Sequence, residues 1–405
     1  MNHRHKRPIY PWLCWLIVAA FYLFQYGLLV VPSVFSDELR QSLGIDRTDV
    51  GVLFSAFLYT YVLMQIPVGV IFDRFRSRNV LFLASMVIIL GCLIFTISHN
   101  LWFAILGRMV MGFGGAFAFI GALYIGRSWF PVVMFPLIVG LTEAMSGLSE
   151  IGLMPLLGIL KNHLHWRTII LIFTLIIVIV AILIFFFVRE HHPERKIKKP
   201  LGRSDFNLIL KNPVMWLLSF YVGLAFAFDM VIANMWGVPL LIAHYHIPTW
   251  MAALESGMIM VGFTIGCYLV GWIARFVSDR LLMMYFAIGQ FIVMLLLWYL
   301  SLDLIEVGIL VFLIGFLSSS MVLSFDFAKK IIPETSYGLA SGFINMFFGG
   351  TGILVSPLVG YIFETTKNEN TALIPVIVCA GLAAVCGVLL KTRTVKFLPV
   401  KQQGG

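Results

Sequence analysis

The segment Gly69-Val70-Ile71-Phe72-Asp73-Arg74-Phe75-Arg76-Ser77-Arg78 joins two long apolar runs, and a degraded copy of it recurs 202 residues later. In the copy, the positions of Gly69, Asp73, Arg78 and Leu81 are occupied by Gly271, Arg275, Arg280 and Met283. A second pair keeps the same offset, because residues 154–158 read Met-Pro-Leu-Leu-Gly and residues 356–360 read Ser-Pro-Leu-Val-Gly. The repeat predicts two related halves, which in a membrane protein are typical of secondary transporters with a site between the halves.

The composition places the chain in a lipid bilayer. Of its 405 residues, 60% are apolar and only 12% are charged, and the mean hydropathy is +0.98. A soluble core does not need that much apolar surface. Runs of roughly 20 apolar residues, long enough to cross the hydrocarbon core, begin near twelve positions: Trp12, Thr48, Asn79, Leu101, Met134, Trp166, Pro213, Trp250, Leu281, Leu304, Ser336 and Thr371. We therefore predict an all-α membrane protein with twelve transmembrane helices.

The net charge of +9 orients the chain in the membrane. With a cytoplasmic N-terminus and twelve alternating spans, 22 of the 28 Lys and Arg residues fall on the cytoplasmic side. That asymmetry is the positive-inside rule. We therefore predict cytoplasmic N- and C-termini, with the lipid bilayer as a partner and no nucleic acid.

The longest polar segment, residues 189–212, lies midway along the chain and is rich in charge. We predict that it is a cytoplasmic linker between an N-terminal six-helix bundle, residues 1–188, and a C-terminal bundle, residues 213–405, that ends in a short cytoplasmic tail. The five cysteines have no paired spacing, so neither a disulfide framework nor a metal site is expected. No cofactor is predicted.

The repeated loop resembles the signature of the major facilitator superfamily, Gly-x-Leu-Ala-Asp-Arg-x-Gly-Arg-Lys between helices 2 and 3. Arg76 and Ser77 depart from it, and four residues match: Gly69, Asp73, Arg74 and Arg78. The segment from Arg108 to Gly114 is similar to the family's Arg-x-x-Gln-Gly-x-Gly pattern in helix 4. The resemblance implies two pseudo-symmetric six-helix bundles, a monomer, and a conformational latch formed by the four matching residues. In that latch Asp73 would meet the start of helix 11 in the outward-facing state; a simple orientation signal is the alternative.

Ionisable side chains inside the spans are candidates for function, because each costs about 2.5–3.5 kcal/mol at mid-bilayer on insertion scales. Arg108 in helix 4 and Glu150 in helix 5 lie at similar depth. We therefore expect an ion pair between them at the substrate site, with a purely structural Arg108 as the alternative. Glu143 shares a helical face with Glu150 and has no evident partner, so it is a candidate proton carrier.

Asp229 lies near the middle of helix 7, and the repeat offset places it beside Gln25 and Tyr26 of helix 1. In the family, helices 1 and 7 line the central cavity. The resemblance therefore implies that Gln25, Tyr26, Asp229 and Asn234 face the substrate, with Asp229 as a second proton carrier. The segment Gly237-Val238-Pro239 is expected to distort helix 7 above Asp229.

Helix 11 contributes Asn345, which lies 202 residues after Glu143 and is expected at the substrate site. A hydrogen bond between helices is the alternative account of Asn234 and Asn345. Glu255 and Asp326 lie close to span ends, where a structural role is the simpler interpretation.

These features predict a secondary transporter that works by alternating access. The segment Phe24-Gln25-Tyr26 to Leu39, with Gln65-Ile66-Pro67, resembles bacterial metabolite importers related to lysosomal dipeptide carriers. That resemblance implies the bacterial inner membrane and proton-coupled import, and a cavity with one Arg and several acids suits an amino acid, a short peptide or a carboxylate siderophore. The alternative is a proton-driven exporter of amphiphilic compounds of the multidrug type. A membrane-embedded enzyme or a sensor ranks below both, because no catalytic motif such as His-Glu-x-x-His occurs.

Overall fold

The computed structural model describes residues 9–131, 134–190, 203–274, 276–333 and 336–392, which are helical apart from short connections. Within these ranges, eleven helices are long and apolar enough to cross a membrane. The remaining predicted span is the helical path from Phe135 to Leu160, of which Met145–Leu160 is a shorter apolar helix. The predicted all-α membrane fold is confirmed.

The twelve crossings are called spans 1 to 12 in chain order. Spans 1 to 6 are Ile9–Val34, Arg47–Arg74, Ser77–Thr96, Leu101–Trp129, the composite of Phe135–Leu148, Ser149–Leu153 and Met154–Leu160, and Trp166–Phe187. Span 7 is the composite of Pro213–Ala225, Asp229–Trp236 and Gly237–Tyr245. Spans 8 and 9 are Thr249–Ile273 and Asp279–Tyr299, and span 10 is the composite of Leu304–Ser318, Ser319–Val322 and Leu323–Ile331. Spans 11 and 12 are Tyr337–Thr366 and Ile374–Thr392. Short helices Ser36–Leu43, Arg203–Leu210 and Glu369–Ala372 lie between spans.

The predicted division into two bundles and a linker stays a prediction. Residues 191–202, the middle of the predicted linker, lie outside the described residues, and the linker's last part contains the helix Arg203–Leu210. The terms N-terminal half and C-terminal half are used below for spans 1 to 6 and spans 7 to 12.

Spans 5 and 7 each contain a π-helical segment, Ser149–Leu153 and Asp229–Trp236. In each case a proline follows shortly, Pro155 in span 5 and Pro239 in span 7. Proline has no N–H to donate to the carbonyl four residues earlier, so the regular helical bonding pattern is interrupted at these points. The distortion expected in span 7 is present, and the two π segments carry Glu150 and Asp229.

The two halves pack most closely toward the outer side, which is the side reached by the end of span 1 in the predicted topology. A Cβ atom at Gly51 of span 2 would lie 2.8 Å from the carbonyl oxygen of Ser356 in span 11. A Cβ atom at Gly158 of span 5 would likewise lie 2.8 Å from the backbone of Trp250, which begins span 8. Backbone approaches this close are accessible only to glycine, so the outer ends of the halves are in direct contact.

An ionic cluster joins the halves at the same end. Arg47, the first residue of span 2, lies 3.1 Å from Glu364 near the end of span 11, and Arg40 lies 3.7 Å from the same carboxylate. Toward the opposite side, a Cβ atom at Gly69 or Gly271 would meet no atom of the described residues within 4 Å. The halves are therefore in direct contact on the outer side.

Candidate functional site

Polar side chains from both halves meet where spans 1, 5, 7 and 10 approach each other. Glu150, Asp229, Asn234 and Ser318 are fully buried. The Tyr26 side chain lies beside the Glu150 carboxyl group and the Asn234 amide, although no hydrogen bond of standard geometry joins them. The Asp229 carboxyl group is close enough to Glu150 to experience its charge. These five residues are called the central cluster.

Hydrogen bonds satisfy only part of the cluster. Ser318 donates its hydroxyl to Oδ1 of Asp229 at 3.1 Å, and Nδ2 of Asn234 donates to the main-chain oxygen of Asp229 at 3.0 Å. Both carboxyl oxygens of Glu150, Oδ2 of Asp229 and Oδ1 of Asn234 are buried without a hydrogen-bond partner among the described residues. Each such group costs about 1–3 kcal/mol of stability, so the cluster is not built to stabilise the fold.

The π segments bring these side chains to the contact between the halves. Ser149, the first residue of the π segment in span 5, donates its hydroxyl to the carbonyl of Leu23 in span 1 at 2.7 Å. Span 8 approaches the same segment so closely that a Cβ atom at Gly257 would lie 3.2 Å from the carbonyl oxygen of Glu150. Trp236, at the end of the π segment in span 7, donates its indole N–H to the carbonyl of Ser356 at 2.9 Å. The π segment of span 5 is therefore held by spans 1 and 8, and the π segment of span 7 is held by span 11.

Arg108 does not form the expected ion pair with Glu150. Its guanidinium group is fully buried and lies 5.0 Å above the centre of the Phe57 ring. It donates instead to three main-chain carbonyls at 2.6–3.1 Å, those of Leu28, Leu29 and Leu53. The arrangement supports the structural alternative for Arg108.

The sequence of span 1 explains why Arg108 binds there. Pro32 has no N–H, so the carbonyl of Leu28, four residues earlier, has no donor within its own helix. Arg108 of span 4 fills that vacancy with its shortest bond, 2.6 Å from Nη1 to the oxygen. A guanidinium group offers several donors in a rigid fork, which suits neighbouring carbonyls on two helices.

The other predicted site residues lie in separate contacts. Gln25 is buried, and its amide lies 3.0 Å from the position of a Cβ atom at Gly115 of span 4. Asn345 of span 11 donates to the side-chain oxygen of Gln65 in span 2 at 3.3 Å. The latter bond joins the two halves and supports the interhelical alternative for Asn345.

The predicted latch and the first candidate proton carrier stay predictions, because the side chains of Asp73 and Glu143 lie outside those that the structure describes. Of the other latch residues, Gly69 accepts a 3.4 Å hydrogen bond from Tyr124 through its carbonyl. Arg74 is exposed, and Arg78 lies over the ring of Phe185 at 5.6 Å.

Near the cytoplasmic end of the C-terminal half, Lys330 pairs with Asp279 and, at 2.9 Å, with Asp326. This ion pair supports the structural interpretation of Asp326.

Sequence reasoning missed Ser318 and Gln65. Ser318 begins the run Ser318-Ser319-Ser320, which interrupts an otherwise apolar span, and Gln65 is an isolated amide in another. Such interruptions are the available signal, although they do not identify the partner. In the described residues no group of three or more His, Cys, Asp or Glu side chains could hold a metal ion.

The chain belongs to the Major Facilitator Superfamily, whose family profile matches residues 14–357. A probable galactarate/D-glucarate transporter, GudP of Escherichia coli (strain K12), is 23% identical over 438 aligned positions that cover 96% of each chain. Among solved structures, a bacterial homologue of the human lysosomal transporter Spinster, in an inward-facing and occupied conformation, gives a TM-score of 0.73 at 15% identity, covering 95% of this chain and 98% of that chain. The nucleoside transporter NupG gives 0.74 at 14% identity, covering 93% and 99%.

These comparisons confirm the predicted family and fold. The protein is a multi-pass membrane protein and a secondary transporter of the major facilitator type, a family of transporters rather than of enzymes. At these identities the solved structures establish the shared fold alone.

Proposed function

We propose that the protein imports a small polar solute together with protons across the bacterial inner membrane, as a monomer with both termini in the cytoplasm. The solute is a zwitterion or a carboxylate, a range that includes amino acids, short peptides and carboxylate siderophores. The observation that carries the proposal is the central cluster, in which each half contributes one buried carboxyl group. A site shared by two halves becomes accessible from one side and then from the other as the halves rock.

Glu150 and Asp229 are the described residues best suited to carry the proton. Both are fully buried, and three of their four carboxyl oxygens have no hydrogen-bond partner. The polar groups around them are Tyr26, Asn234 and Ser318, with Tyr22 next to Tyr26. None of these is a cation, and an ionised carboxylate without a counter-ion is strongly disfavoured in an apolar interior. Proton binding and release therefore follow access of the cluster to water, which is what coupling requires.

Alternating access also gives the two ends of the molecule distinct roles. Contacts at Gly51, Gly158 and Glu364 hold the outer side closed in the conformation described here. Closing the cytoplasmic side would bring the open surfaces at Gly69 and Gly271 against their neighbours, which is the step in which the proposed latch of Gly69, Asp73, Arg74 and Arg78 acts.

Purified protein in liposomes that contain a pH-sensitive dye tests the proposal. The probes are alanine, dialanine, citrate and D-glucarate, each added outside with and without an inward proton gradient. We expect at least one probe to accumulate only with the gradient and to acidify the lumen. Glu150→Gln and Asp229→Asn should abolish accumulation, whereas Glu255→Gln, the same change at an acid of span 8 outside the cluster, should retain it.

Several outcomes would count against the proposal. Accumulation that does not depend on the proton gradient, or that persists in both Glu150→Gln and Asp229→Asn, would refute proton coupling through Glu150 and Asp229. Efflux of a preloaded amphiphilic dye without uptake of any probe would favour the exporter alternative.

A further inference from the structure

The central cluster presents more hydrogen-bond acceptors than its own donors satisfy. Its four unpartnered atoms are all oxygens, two on Glu150, one on Asp229 and one on Asn234. The orientation of the Asn234 amide is fixed by the bond from its nitrogen to the main chain of Asp229, which leaves its oxygen as the free end. Ser318 already donates to Asp229. A ligand that fits this array must supply several donors.

No positive charge of the described chain balances the two acids. Among the described residues, no Lys, Arg or His forms an ion pair with Glu150 or Asp229; the ion pairs lie near the ends of the spans. Arg108 is the one basic residue predicted deep inside a span, and its guanidinium group donates to main-chain carbonyls. A compensating charge in the occupied site therefore comes from the solute.

On the basis of the proposed transport function, we propose that the solute is recognised through an ammonium group that binds between Glu150 and Asp229. A protonated primary amine carries three N–H donors and no acceptor, which matches a set of unpartnered oxygens. Its positive charge offsets one ionised carboxylate, while the other carboxyl group keeps its proton. For a solute with no other charge the occupied site is then electrically neutral, as a buried site must nearly be, and for a zwitterion it is neutral when both carboxyl groups keep their protons.

Each acid has one hydroxyl group beside it. Ser318 donates to Asp229, and the Tyr26 side chain lies beside the Glu150 carboxyl group. The ammonium group therefore lies between the two carboxyl groups, either of which can keep the proton.

The same charges exclude sugar diacids at the cluster. A dianion would bring two further negative charges to two buried acids that lack a cation, and like charges placed together at a buried site oppose binding strongly. The similarity to GudP, 23% over nearly the whole chain, therefore does not extend to the solute.

Matched six-carbon probes test the inference directly. D-glucamine, D-glucitol and D-glucarate share a polyol chain and differ only in whether the ends carry an amine, no charge or two carboxylates. L-alanyl-L-alanine and its N-acetyl derivative form a second pair. Binding of each to purified full-length protein is measured by calorimetry and by the shift in thermal unfolding. We expect an amine of at least one pair to bind about tenfold or more tightly than its counterpart without the ammonium group, with no binding of D-glucarate.

Substitutions then locate the contact. Asp229→Asn should weaken amine binding about tenfold or more, and Ser318→Ala should weaken it by a smaller factor. Glu255→Gln, outside the cluster, should leave it unchanged, and unfolding without ligand checks that each variant is folded. If Asp229→Asn does not fold, the wild-type protein still tests the ammonium site, because its affinity for L-alanyl-L-alanine can be compared with its affinity for the N-acetyl derivative.

The inference is overturned if D-glucarate binds, if neither amine binds, or if amine binding survives in folded Asp229→Asn. Uptake separates this result from the proposed function. Proton-driven accumulation of D-glucarate would refute the ammonium site and leave proton-coupled import standing. Amine binding without gradient-driven uptake would support the ammonium site and refute proton-coupled import.

Discussion

Gly51→Ala should open the outer side of the transporter. The added Cβ atom would lie 2.8 Å from the carbonyl oxygen of Ser356, 2.9 Å from Cα of Pro357 and 3.1 Å from its nitrogen. All three are backbone atoms of span 11, so no side chain can rotate away. Against an ordinary contact that begins at 3.4 Å, the shortfall is about 0.6 Å, and spans 2 and 11 must separate to absorb it.

The cost of this overpacking is about 1–3 kcal/mol. It falls on the outer-closed conformation, because spans 2 and 11 belong to different halves and move apart when the outer side opens. A coupling of that size changes the ratio of the two conformations by about 5- to 150-fold. An outer-open population of about 1% would therefore rise to between about 5% and 60%, which is large enough to measure.

Distances between spin labels at Asn162 and Asn368 measure the shift. Both residues are exposed in outer loops of different halves, and the native cysteines are replaced beforehand. We expect Gly51→Ala to add a population at longer distance. Gly350→Ala is the matched control, because a Cβ atom there would meet no described atom within 4 Å although the residue lies in the same span 11. An unchanged distance distribution in folded Gly51→Ala would refute the assignment of this contact as the outer closure.

Three further predictions concern other contacts. Arg108→Lys should lower the thermal stability in detergent, by about 1.5–3 kcal/mol for each charge-assisted bond lost, because an ammonium group cannot span the three carbonyls; lost solute binding at unchanged stability would instead restore Arg108 as a substrate ligand. Gly315→Ala should reduce the folded yield in size-exclusion chromatography, because its Cβ atom would lie 2.0 Å from the carbonyl oxygen of Ile259. Gly289→Ala, whose Cβ atom would have its nearest atoms at 3.5 Å, should not reduce the yield. Equal yields of the two variants would contradict the prediction. Glu364→Gln should favour the outer-open conformation by up to about 1 kcal/mol, and by less at high salt. Glu369→Gln, whose partner His244 lies in the same half, should leave the distances between the spin labels unchanged. An equal shift in both variants would contradict the role of the ionic cluster around Glu364 in closing the outer side.

Apolar run length and the repeat predicted the fold, because both can be recognised in the sequence of the segments themselves. The partner of a buried polar group cannot be recognised in this way, because it depends on which helices lie side by side. The depth of Arg108 and Glu150 along their helices suggested an ion pair, yet Arg108 turns to a carbonyl that Pro32 leaves free on span 1. Only the crossing of spans 1, 2 and 4 in space decides between these partners.

The central cluster was predicted in part for a similar reason. Tyr26, Glu150, Asp229 and Asn234 were all candidates, and the structure brings them together. Ser318 was missed because a serine in a helix commonly bonds to its own backbone, as Ser318 also does with Gly315 at 2.8 Å. Asn345 was expected at the site but bonds to Gln65, since the face that a polar residue turns to a neighbour depends on how the helices are rotated.

The repeat explains why a symmetric fold carries an asymmetric site. The repeat mates of Glu150 and Asp229, found by the 202-residue offset, are both glycines, Gly352 and Gly27. A Cβ atom at Gly27 would lie 2.6 Å from Leu153, and one at Gly352 would lie 2.6 Å from Leu58. A carboxyl group at either position would require these leucine side chains to move, so exchanging the acids between the halves would disturb the packing. Each half therefore supplies its acid from a different helix of the repeat, span 5 in one and span 7 in the other, and the duplicated scaffold places two inequivalent carboxyl groups at one site.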